Sequence, residues 1–253
     1  MTDRPDDLVR WGSADVATEA GDYFERSAGG VAGKLAAFPR FVDRTSISRF
    51  LVKARIFDDV LPVQGSIVEC GVHDGGGLFT WAHLSALREP LNHRRKVIGF
   101  DTFGGFPSVH EADLATGSEQ AFVGNYHGAS REEIEQGIAL FDRGRPLGQL
   151  PKIELVAGDF TETGPRYVAD NPHLVVSLLY LDFDLYEPTR VALDVFLPLM
   201  PAGAVIAFDE VHVADFPGET TAMLEALEVP RLRLQRLPAT SICWAVLTGD
   251  ERR

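Results

Sequence analysis

Four acidic residues in the last third of this sequence stand where they could do chemistry. LDFDLYEPT places Asp182 and Asp184 two residues apart on a strand end, behind an apolar run, and FDEVH places Asp209 and Glu210 behind the next run. Several carboxylates in one place repel one another unless a cation or a proton joins them. Oxygen ligands without cysteine are typical of magnesium rather than structural zinc. We therefore expect a hard divalent ion here, with a metal-free acid–base pair or a helix cap as alternatives.

Three further acids, Glu69, Asp101 and Asp159, close three other apolar runs. Their motifs contain no lysine or arginine, which suits a cationic, hydroxyl-rich ligand better than a dinucleotide pyrophosphate. S-adenosylmethionine (SAM) has a positive sulfur, a ribose diol and an adenine amine that such acids can bind. The glycines at Gly71 and Gly75–Gly77 would let this ligand approach the backbone. We therefore expect SAM as the cofactor.

Apolar runs alternate with helical patterns along the chain, which predicts a mostly parallel, doubly wound α/β sheet. In such a sheet the ligand crevice lies at the carboxyl ends of the strands, so all seven acids should line one cleft. The last two runs, RLRLQRL and SICWAVL, predict an antiparallel hairpin that turns at residues 238–240 and completes seven strands.

A helical pattern precedes the sheet over residues 15–61, with a glycine-marked break at Gly29, Gly30 and Gly33 and a helix that Thr45 or Ser46 caps. We expect residues 1–62 to form an N-terminal helical extension that can act as a lid. Residues 63–253 then form the SAM-binding domain, with 104–150 as a variable insertion on the substrate side. If the extension folds over the cleft, Arg44 and its two neighbours could reach the methionine carboxylate of SAM.

Composition narrows the partners of this chain of 253 residues. Its formal charge of −13 and its pI near 4.9 disfavour nucleic acid and anionic membranes, so a small molecule is expected. Cys70 and Cys243 lie in apolar runs, which indicates buried reduced thiols. The polar start MTDRPDDLVRW and the absence of a long apolar segment favour a soluble cytoplasmic protein. The helical extension favours a homo-oligomer.

From about Thr45 to Glu210 the chain resembles the macrocin O-methyltransferase family. These enzymes, of macrocin, mycinamicin and novobiocin type, are metal-dependent sugar methyltransferases of antibiotic biosynthesis. The resemblance is carried by VECGVHDGG, GFDTFGGFP, GDF, LDFDLYEPT and VIAFDE. It implies a Rossmann-like SAM methyltransferase fold, SAM and Mg²⁺ as cofactors, and transfer of a methyl group to a deoxysugar hydroxyl. The acceptor would be a nucleotide sugar or a glycosylated natural product.

The same resemblance implies roles for single residues. The SAM site would be lined by Glu69, Gly71, Asp101, Thr102, Phe103, Asp159 and Phe160. Apart from the resemblance, Asp182, Thr45 and Ser46 are further candidate contacts of SAM. Magnesium would be held by Asp182, Asp209 and Glu210, and Asp184 would be the general base.

Two departures from the family pattern bear on these roles. The family has two adjacent aspartates where this chain has Asp209 and Glu210, and it often has a tryptophan–arginine pair where this chain has His73 and Asp74. His73 and His212 are second-rank candidates for a base or an acceptor contact.

Three other functions remain open from the sequence. A catechol-type O-methyltransferase would use the same metal and cofactor with a flat phenolic diol. A nicotinamide-dependent dehydrogenase is suggested by GGGLFT, which partly imitates the G-x-G-x-x-G fingerprint. A non-catalytic binding protein could retain the fold alone.

Overall fold

The computed structural model describes residues 14–238 and 240–251. The chain divides into two compact units, one ending at Leu51 and the other beginning at Val52. The sequence predicts this boundary after residue 62, at the end of the helical extension. The first unit contains α1 (Ala14–Arg26), α2 (Val31–Ala36), a 3-10 turn and the start of α3 (Arg44–Val60). The polar segment 1–11 lies outside the described residues.

Helix α3 is capped by a residue that the sequence analysis did not select. The Asp43 carboxylate accepts a hydrogen bond from the Ser46 N–H group at 2.6 Å, the contact that an N-cap makes with the third helical residue. The prediction that Thr45 or Ser46 caps this helix is therefore wrong, since both lie within its first turn. The predicted glycine break is confirmed at Gly29 and Gly30, which separate α1 from α2, whereas Gly33 lies within α2 and is no part of the break.

The second unit is built on a seven-stranded sheet with the strand order β3-β2-β1-β4-β5-β7-β6. The strands are β1 (Ser66–Cys70), β2 (Val97–Asp101), β3 (Ile153–Ala157), β4 (Val176–Leu181), β5 (Val205–Phe208), β6 (Gln235–Arg236) and β7 (Cys243–Val246). Strands β1 to β5 pair in parallel, and β7 is antiparallel to both β5 and β6. The predicted doubly wound sheet and its antiparallel hairpin are confirmed. The strand order reverses between β1 and β4, where a ligand crevice is expected.

Helices cover both faces of this sheet. One face packs against α4 (Gly76–Arg88), α5 (Arg131–Arg143) and the later part of α3, and the other against α6 (Phe160–Asp170), α7 (Tyr186–Phe196) and α8 (Pro217–Ala226). In β4, Leu178 and Tyr180 enter the first core while Leu179 and Leu181 enter the second. Because alternate side chains of β4 enter opposite cores, both sets of positions need apolar residues. This explains the nearly unbroken apolar run of β4. None of the described helices is long and apolar enough to cross a membrane.

The edge of the sheet where the parallel strands begin, the amino-terminal edge, is closed by one buried guanidinium group. Arg95, just before β2, is 3% exposed. Its acceptors are the carbonyl oxygens of Leu61, Val63 and Gly65, the Ser177 hydroxyl and the Glu89 carboxylate, at 2.5–3.3 Å. A planar donor group with five N–H bonds is thus fully used to tie together the segments that enter β1, β2 and β4.

The two cysteines are buried thiols. Cys70 ends β1 and Cys243 begins β7, and both are free and buried. Burial raises the pKa of Cys70 well above its usual range and that of Cys243 to about 12. Both side chains are therefore neutral core residues at ordinary pH, as predicted.

Candidate active site

The predicted acids meet at the opposite edge, where the parallel strands end, which we call the carboxyl edge. Asp101 ends β2, Asp182 directly follows β4 and Asp209 directly follows β5. The Asp209 N–H group donates to the Leu181 carbonyl at 3.0 Å, so the backbones of Asp182 and Asp209 lie side by side. The sequence-based prediction that these acids converge on one edge is confirmed.

Left-handed backbone conformations concentrate at the carboxyl edge. Among the described residues, six that are not glycine have positive φ, and five of these belong to this edge: His73 (48°), Phe103 (55°), Tyr126 (56°), Asp184 (63°) and His212 (67°). Four of the five follow β1, β2, β4 and β5. Asp184 is therefore not on an extended strand end, as the sequence suggested, because β4 ends at Leu181 and the chain then turns. Residues in this conformation are costly and cluster at functional sites.

The glycines that follow β1 serve the fold more than a ligand. A Cβ atom at Gly71 would lie 2.0 Å from the Asp182 carbonyl oxygen, and one at Gly77 would lie 1.8 Å from a Glu69 carboxylate oxygen. Of the four glycines, only Gly76 has open space around its missing Cβ among the described residues. The prediction that the whole group clears space for a ligand is thus wrong. Gly71 admits the end of β4, and Gly77 admits the Glu69 side chain.

Asp101 connects the loops that follow β1 and β2. Its Oδ2 atom accepts the N–H groups of Val72 at 2.7 Å and His73 at 2.9 Å, and its Oδ1 atom accepts that of Phe103 at 2.7 Å. The Thr102 hydroxyl donates to a carbonyl of the next turn at 2.7 Å. These hydrogen bonds fix the loops, and a carboxylate with about four lone-pair sites still has room for a ribose hydroxyl. The assignment of these residues to the SAM site stays a prediction.

Asp159 and Phe160 are positioned by the start of α6. The Asp159 carboxylate is the N-cap of this helix and accepts the N–H and hydroxyl groups of Thr161 at 2.9 and 2.8 Å. The Phe160 ring is buried and packs 5.1 Å from Phe100 and 4.9 Å from Phe183 between ring centroids. Asp159 thus lies at the carboxyl edge, whereas the Phe160 ring belongs to the core and leaves mainly its backbone for a ligand.

A chain of buried polar side chains runs from α3 to the end of β5. Lys53 Nζ donates to the Tyr180 hydroxyl at 2.8 Å, and that hydroxyl donates to Asp209 Oδ1. An ideal Cβ atom on Gly77 would lie 3.3 Å from Lys53 Cε as well as close to Glu69, so these two side chains converge there. Sequence analysis missed Lys53 and Tyr180, because a lysine in a helix and a tyrosine in a strand are ordinary.

Glu219, from the first turn of α8, is a further acid behind the carboxyl edge. One carboxylate oxygen accepts the Glu210 N–H group at 2.9 Å, and the other is buried without a hydrogen-bond partner in the described part of the chain. Burial raises the pKa of Glu219 well above its usual range, although the Glu210 hydrogen bond opposes this. The charges of Asp184, Asp209 and Asp182 raise that pKa further. Sequence analysis missed Glu219 because acids are common in the first turn of a helix.

Residues 104–130, which we call the covering segment, pack against the loops that follow β4 and β5. Asp113, in a 3-10 turn, is buried and accepts the Tyr186 N–H group at 2.7 Å. Phe106 forms a small separate core with Leu185 and Phe216. The first part of the insertion that the sequence predicted over residues 104–150 is therefore anchored beside the acids.

Tyr126 brings an aromatic ring from the covering segment to these acids. Its ring stacks on Phe106 at 5.4 Å and meets the edge of Phe216 at 5.7 Å between centroids. Partial burial raises the pKa of Tyr126, and the charges of Asp184 and Glu210 raise it further. The Tyr126 ring thus forms one wall of the site beside the acids. The irregular sequence around it did not indicate this position.

The two candidate histidines lie in the loops of the carboxyl edge. His73 Nδ1 lies 3.3 Å from the Asp74 carboxylate, and the His73 ring centroid lies 6.3 Å from that of Tyr126. The His212 N–H group donates to the Thr220 hydroxyl at 3.0 Å. Both histidines therefore remain candidates for acceptor contacts.

The donors at the ends of β4 and β5 fit a hard divalent cation in their chemistry. They are oxygen atoms only, the donor type that hard cations prefer. Burial is the main cause of the raised pKa of Glu219 behind them, and the charges of Asp184, Asp209 and Asp182 add to it. Within residues 14–238 and 240–251, however, no three His, Cys, Asp or Glu side chains are arranged so that they could hold a metal ion. The site predicted from Asp182, Asp209 and Glu210 is thus not assembled as a three-carboxylate cage.

Residues 52–233 match the model of the macrocin-O-methyltransferase (TylF) family. This chain belongs to that family. The match begins in α3 and contains the ends of all five parallel strands, so every motif of the carboxyl edge from Glu69 to Glu210 lies within it.

Solved structures share the whole fold of this macrocin-O-methyltransferase family member. The crystal structure of CalS11, a calicheamicin methyltransferase, is 30% identical with a TM-score of 0.87, and the match covers 97% of this chain and 94% of that one. The apo structure of CalS11, a TDP-rhamnose 3'-O-methyltransferase, is 29% identical with a TM-score of 0.79 and coverages of 97% and 96%. The predicted Rossmann-like methyltransferase fold is therefore confirmed.

A characterised relative shares part of its length with this chain. Over 149 residues the chain is 30% identical to 8-demethyl-8-(2,3-dimethoxy-alpha-L-rhamnosyl)-tetracenomycin-C 4'-O-methyltransferase of Streptomyces olivaceus. The match covers 58% of this chain and 53% of that protein, so the chain matches about half the length of this relative.

Proposed function

We propose that this chain is a SAM-dependent O-methyltransferase that methylates a deoxysugar hydroxyl in antibiotic biosynthesis, with Mg²⁺ as its metal cofactor. The observation that carries this proposal is the convergence of Asp182, Asp184 and Asp209 at the carboxyl edge of a sheet with this family's fold. Two relatives act on rhamnose or a rhamnosyl group by their names, which favours a 6-deoxysugar on a nucleotide or a glycoside.

The cofactor end of the proposed site lies after β1, β2 and β3. Its residues are Glu69, Gly71, Asp101, Thr102, Phe103, Asp159, Phe160 and Asp182. When bound, SAM supplies a methyl group on a positively charged sulfur. An edge lined by carboxylates attracts that charge and can accept hydrogen bonds from the ribose and the amino group.

The chemical step is proposed to lie at the ends of β4 and β5. Asp184 would accept the proton of the acceptor hydroxyl. The oxygen of that hydroxyl would form the new bond to the methyl carbon as the carbon–sulfur bond of SAM breaks, which leaves a neutral thioether. Asp182, Asp209 and Glu210 would hold the metal ion, which supplies positive charge that lowers the pKa of the acceptor hydroxyl. General-base catalysis and positioning are then separate tasks of separate residues.

The acceptor is proposed to lie between these acids and the covering segment. A deoxysugar has an apolar patch at its methyl group, and the Tyr126 ring offers an apolar face beside Asp184. The His73 ring lies near the Tyr126 ring, with 6.3 Å between the ring centroids. The net charge of −13 favours a small molecule over nucleic acid or an anionic membrane. We further propose a cytoplasmic homo-oligomer.

Methyl transfer can be tested with a panel of acceptors. The purified chain is incubated with methyl-labelled SAM and Mg²⁺, together with TDP-rhamnose, a rhamnosyl glycoside or a catechol. We expect a labelled methyl ether on a sugar hydroxyl, identified by mass spectrometry. Label on the catechol alone would favour the catechol-type enzyme instead. SAM binding without any product would favour a binding protein, and NAD⁺ reduction without SAM binding would favour a dehydrogenase.

The metal is tested separately. Turnover with the accepted sugar is measured after treatment with EDTA and again after Mg²⁺ is added back. We expect EDTA to abolish turnover and Mg²⁺ to restore it. Undiminished turnover in EDTA would contradict the assignment of Asp182, Asp209 and Glu210 as metal ligands while leaving methyl transfer intact.

A further inference from the structure

We propose that Tyr180 and Lys53 are positioning residues that hold the Asp209 carboxylate in the orientation needed to bind the divalent cation. The inference rests on the proposed function, because it takes Asp209 as a metal ligand. Neither residue would contact substrate, cofactor or cation. Each would act through Asp209, with Tyr180 in direct contact and Lys53 one hydrogen bond further away.

The two hydrogen bonds donate in one direction, from Lys53 through Tyr180 to Asp209. The Lys53 ammonium group donates to the Tyr180 hydroxyl oxygen at 2.8 Å, so the hydroxyl hydrogen is available for Asp209 Oδ1. The positive charge on Lys53 withdraws electron density from the phenol and strengthens its bond to the carboxylate. Asp209 thus receives a polarised hydrogen bond that fixes its plane.

The buried surroundings of these three side chains make a purely structural role costly in free energy. Lys53 is 3% exposed, Tyr180 is fully buried and Asp209 is 1% exposed, within a core that contains Trp81 and Ala207. Burying two charges and a hydroxyl group is often less favourable than packing apolar side chains of similar volume. Apolar residues at positions 53, 180 and 209 together would therefore serve the core as well, whereas they could bind no cation.

Packing also holds the two positioning residues in place. Lys53 Nζ lies 4.3 Å from the centroid of the Tyr180 ring and 5.8 Å from that of Trp81, and the rings of Tyr180 and Trp81 meet edge to face at 5.4 Å. The hydroxyl of Tyr180 therefore has little freedom. A ligand carboxylate supported by a rigid donor needs less reorganisation when the ion arrives.

The test measures Mn²⁺ binding to the full chain, with no turnover involved. Tyr180→Phe keeps the ring and removes only the hydroxyl. We expect the Kd for Mn²⁺, measured by electron paramagnetic resonance, to rise about 10- to 100-fold, as is typical when a residue that supports a metal ligand is lost. The affinity for S-adenosylhomocysteine, measured by calorimetry, should stay unchanged. Tyr167→Phe is the matched control, because the Tyr167 hydroxyl also donates to a carboxylate, that of Glu154 at 2.9 Å.

Lys53→Met separates positioning from simple electrostatics. Removal of a positive charge near a cation site should by itself tighten Mn²⁺ binding, so weaker binding in this variant identifies a positioning role. If Lys53 acts through Tyr180, the Kd of the double variant should resemble that of Tyr180→Phe, because the two effects are coupled. Tighter Mn²⁺ binding in Lys53→Met would overturn the role of Lys53.

Asp209→Asn distinguishes the inference from the proposed function. If Asp209→Asn weakens Mn²⁺ binding while Tyr180→Phe behaves like Tyr167→Phe, the positioning role is wrong and the metal site stands. A melting temperature that falls in Tyr180→Phe without any change in the Kd for Mn²⁺ leads to the same conclusion. If Asp209→Asn itself leaves Mn²⁺ binding unchanged, both the metal site and the positioning role are wrong.

Discussion

The two edges of the sheet in the second unit treat buried charge in opposite ways. At the amino-terminal edge, every N–H bond of the Arg95 guanidinium group has an acceptor, and Lys152 donates to the Asn92 carbonyl at 2.8 Å. At the carboxyl edge acids face acids, and burial together with the charges of Asp184 and Asp209 raises the pKa of Glu219. The first edge ties strands together. The second holds like charges close to one another, and a cation or a proton would reduce their repulsion.

Backbone conformation separates the two edges as well. The carboxyl edge has five of the six left-handed residues other than glycine among those described, and the sixth, Leu147, lies in the loop before β3. Each such residue costs about 1–2 kcal/mol relative to a right-handed conformation. The hydrogen bonds that Arg95 and Lys152 donate at the amino-terminal edge contribute stability that helps to offset this strain. Substitutions at the two edges should therefore affect different properties of the protein.

Asp184→Asn should produce the largest change at the carboxyl edge. The amide tolerates the left-handed backbone but cannot accept the hydroxyl proton, so we expect kcat to fall by about 10²- to 10⁴-fold. The melting temperature should rise, because one of several like charges is removed. Steady-state kinetics and thermal unfolding measure the two effects. Unchanged turnover would contradict the role of Asp184 as general base.

Arg95→Met should produce the largest change at the amino-terminal edge. The variant leaves Glu89 and several buried carbonyl groups without their donor, so the free energy of unfolding should fall by about 3–5 kcal/mol, as for a broken buried ion pair. Urea denaturation measures this loss, and the kcat of the folded fraction should be unchanged. The control Arg131→Met removes an exposed pair with Glu135 and should cost no more than about 1 kcal/mol. Equal losses in both variants would contradict the contrast between the edges.

The sequence predicted the carboxyl edge well because its signals are local. An apolar run that ends in an acid marks both a strand and the residue at its end, and parallel strands bring those ends to one edge. Asp101, Asp182 and Asp209 were located in this way. The left-handed turn at Asp184 carried no such signal, since nothing in LDFDLYEPT shows where the strand stops.

The missed features all depend on which elements meet in space. The Lys53–Tyr180 hydrogen bond joins residues 127 positions apart, and no pattern in either segment specifies its partner. The need for glycine at Gly71 arises from its left-handed φ of 96° and from the end of β4, which passes within contact of it. Glu219 became part of the site because α8 packs behind β5. Tertiary contacts of this kind need the fold before they can be identified.

Tyr126→Leu should produce a smaller effect at the carboxyl edge. An aromatic contact of this kind contributes about 0.5–1.5 kcal/mol, so the KM for TDP-rhamnose should rise about two- to tenfold while kcat changes little. Initial rates at saturating SAM measure both constants. Phe122→Leu changes an exposed ring of the same covering segment and should leave KM unchanged. An equal KM for wild type and Tyr126→Leu would place the acceptor elsewhere.

The smallest expected effect is a pH dependence at the amino-terminal edge. Burial lowers the pKa of Lys152 from 10.5 to about 8, and the positive charge of Arg95 acts in the same direction, although Glu89 opposes it. Below pH 8 both the folded and the unfolded chain bind this proton, and the folded state bears the full cost of the buried charge. Between pH 8 and 10.5 only the unfolded chain remains protonated, so the stability of the wild type should increase with pH relative to Lys152→Met.

After allowance for solvent screening, this increase should amount to no more than about 1 kcal/mol. Urea denaturation at several pH values between 7.5 and 10.5, about half a unit apart, measures the difference between wild type and Lys152→Met. Other groups that titrate in this range contribute equally to both proteins and cancel in the difference. A difference independent of pH would show that Lys152 is solvated in the folded protein. The contrast with the carboxyl edge would then rest mainly on the buried Arg95 guanidinium group.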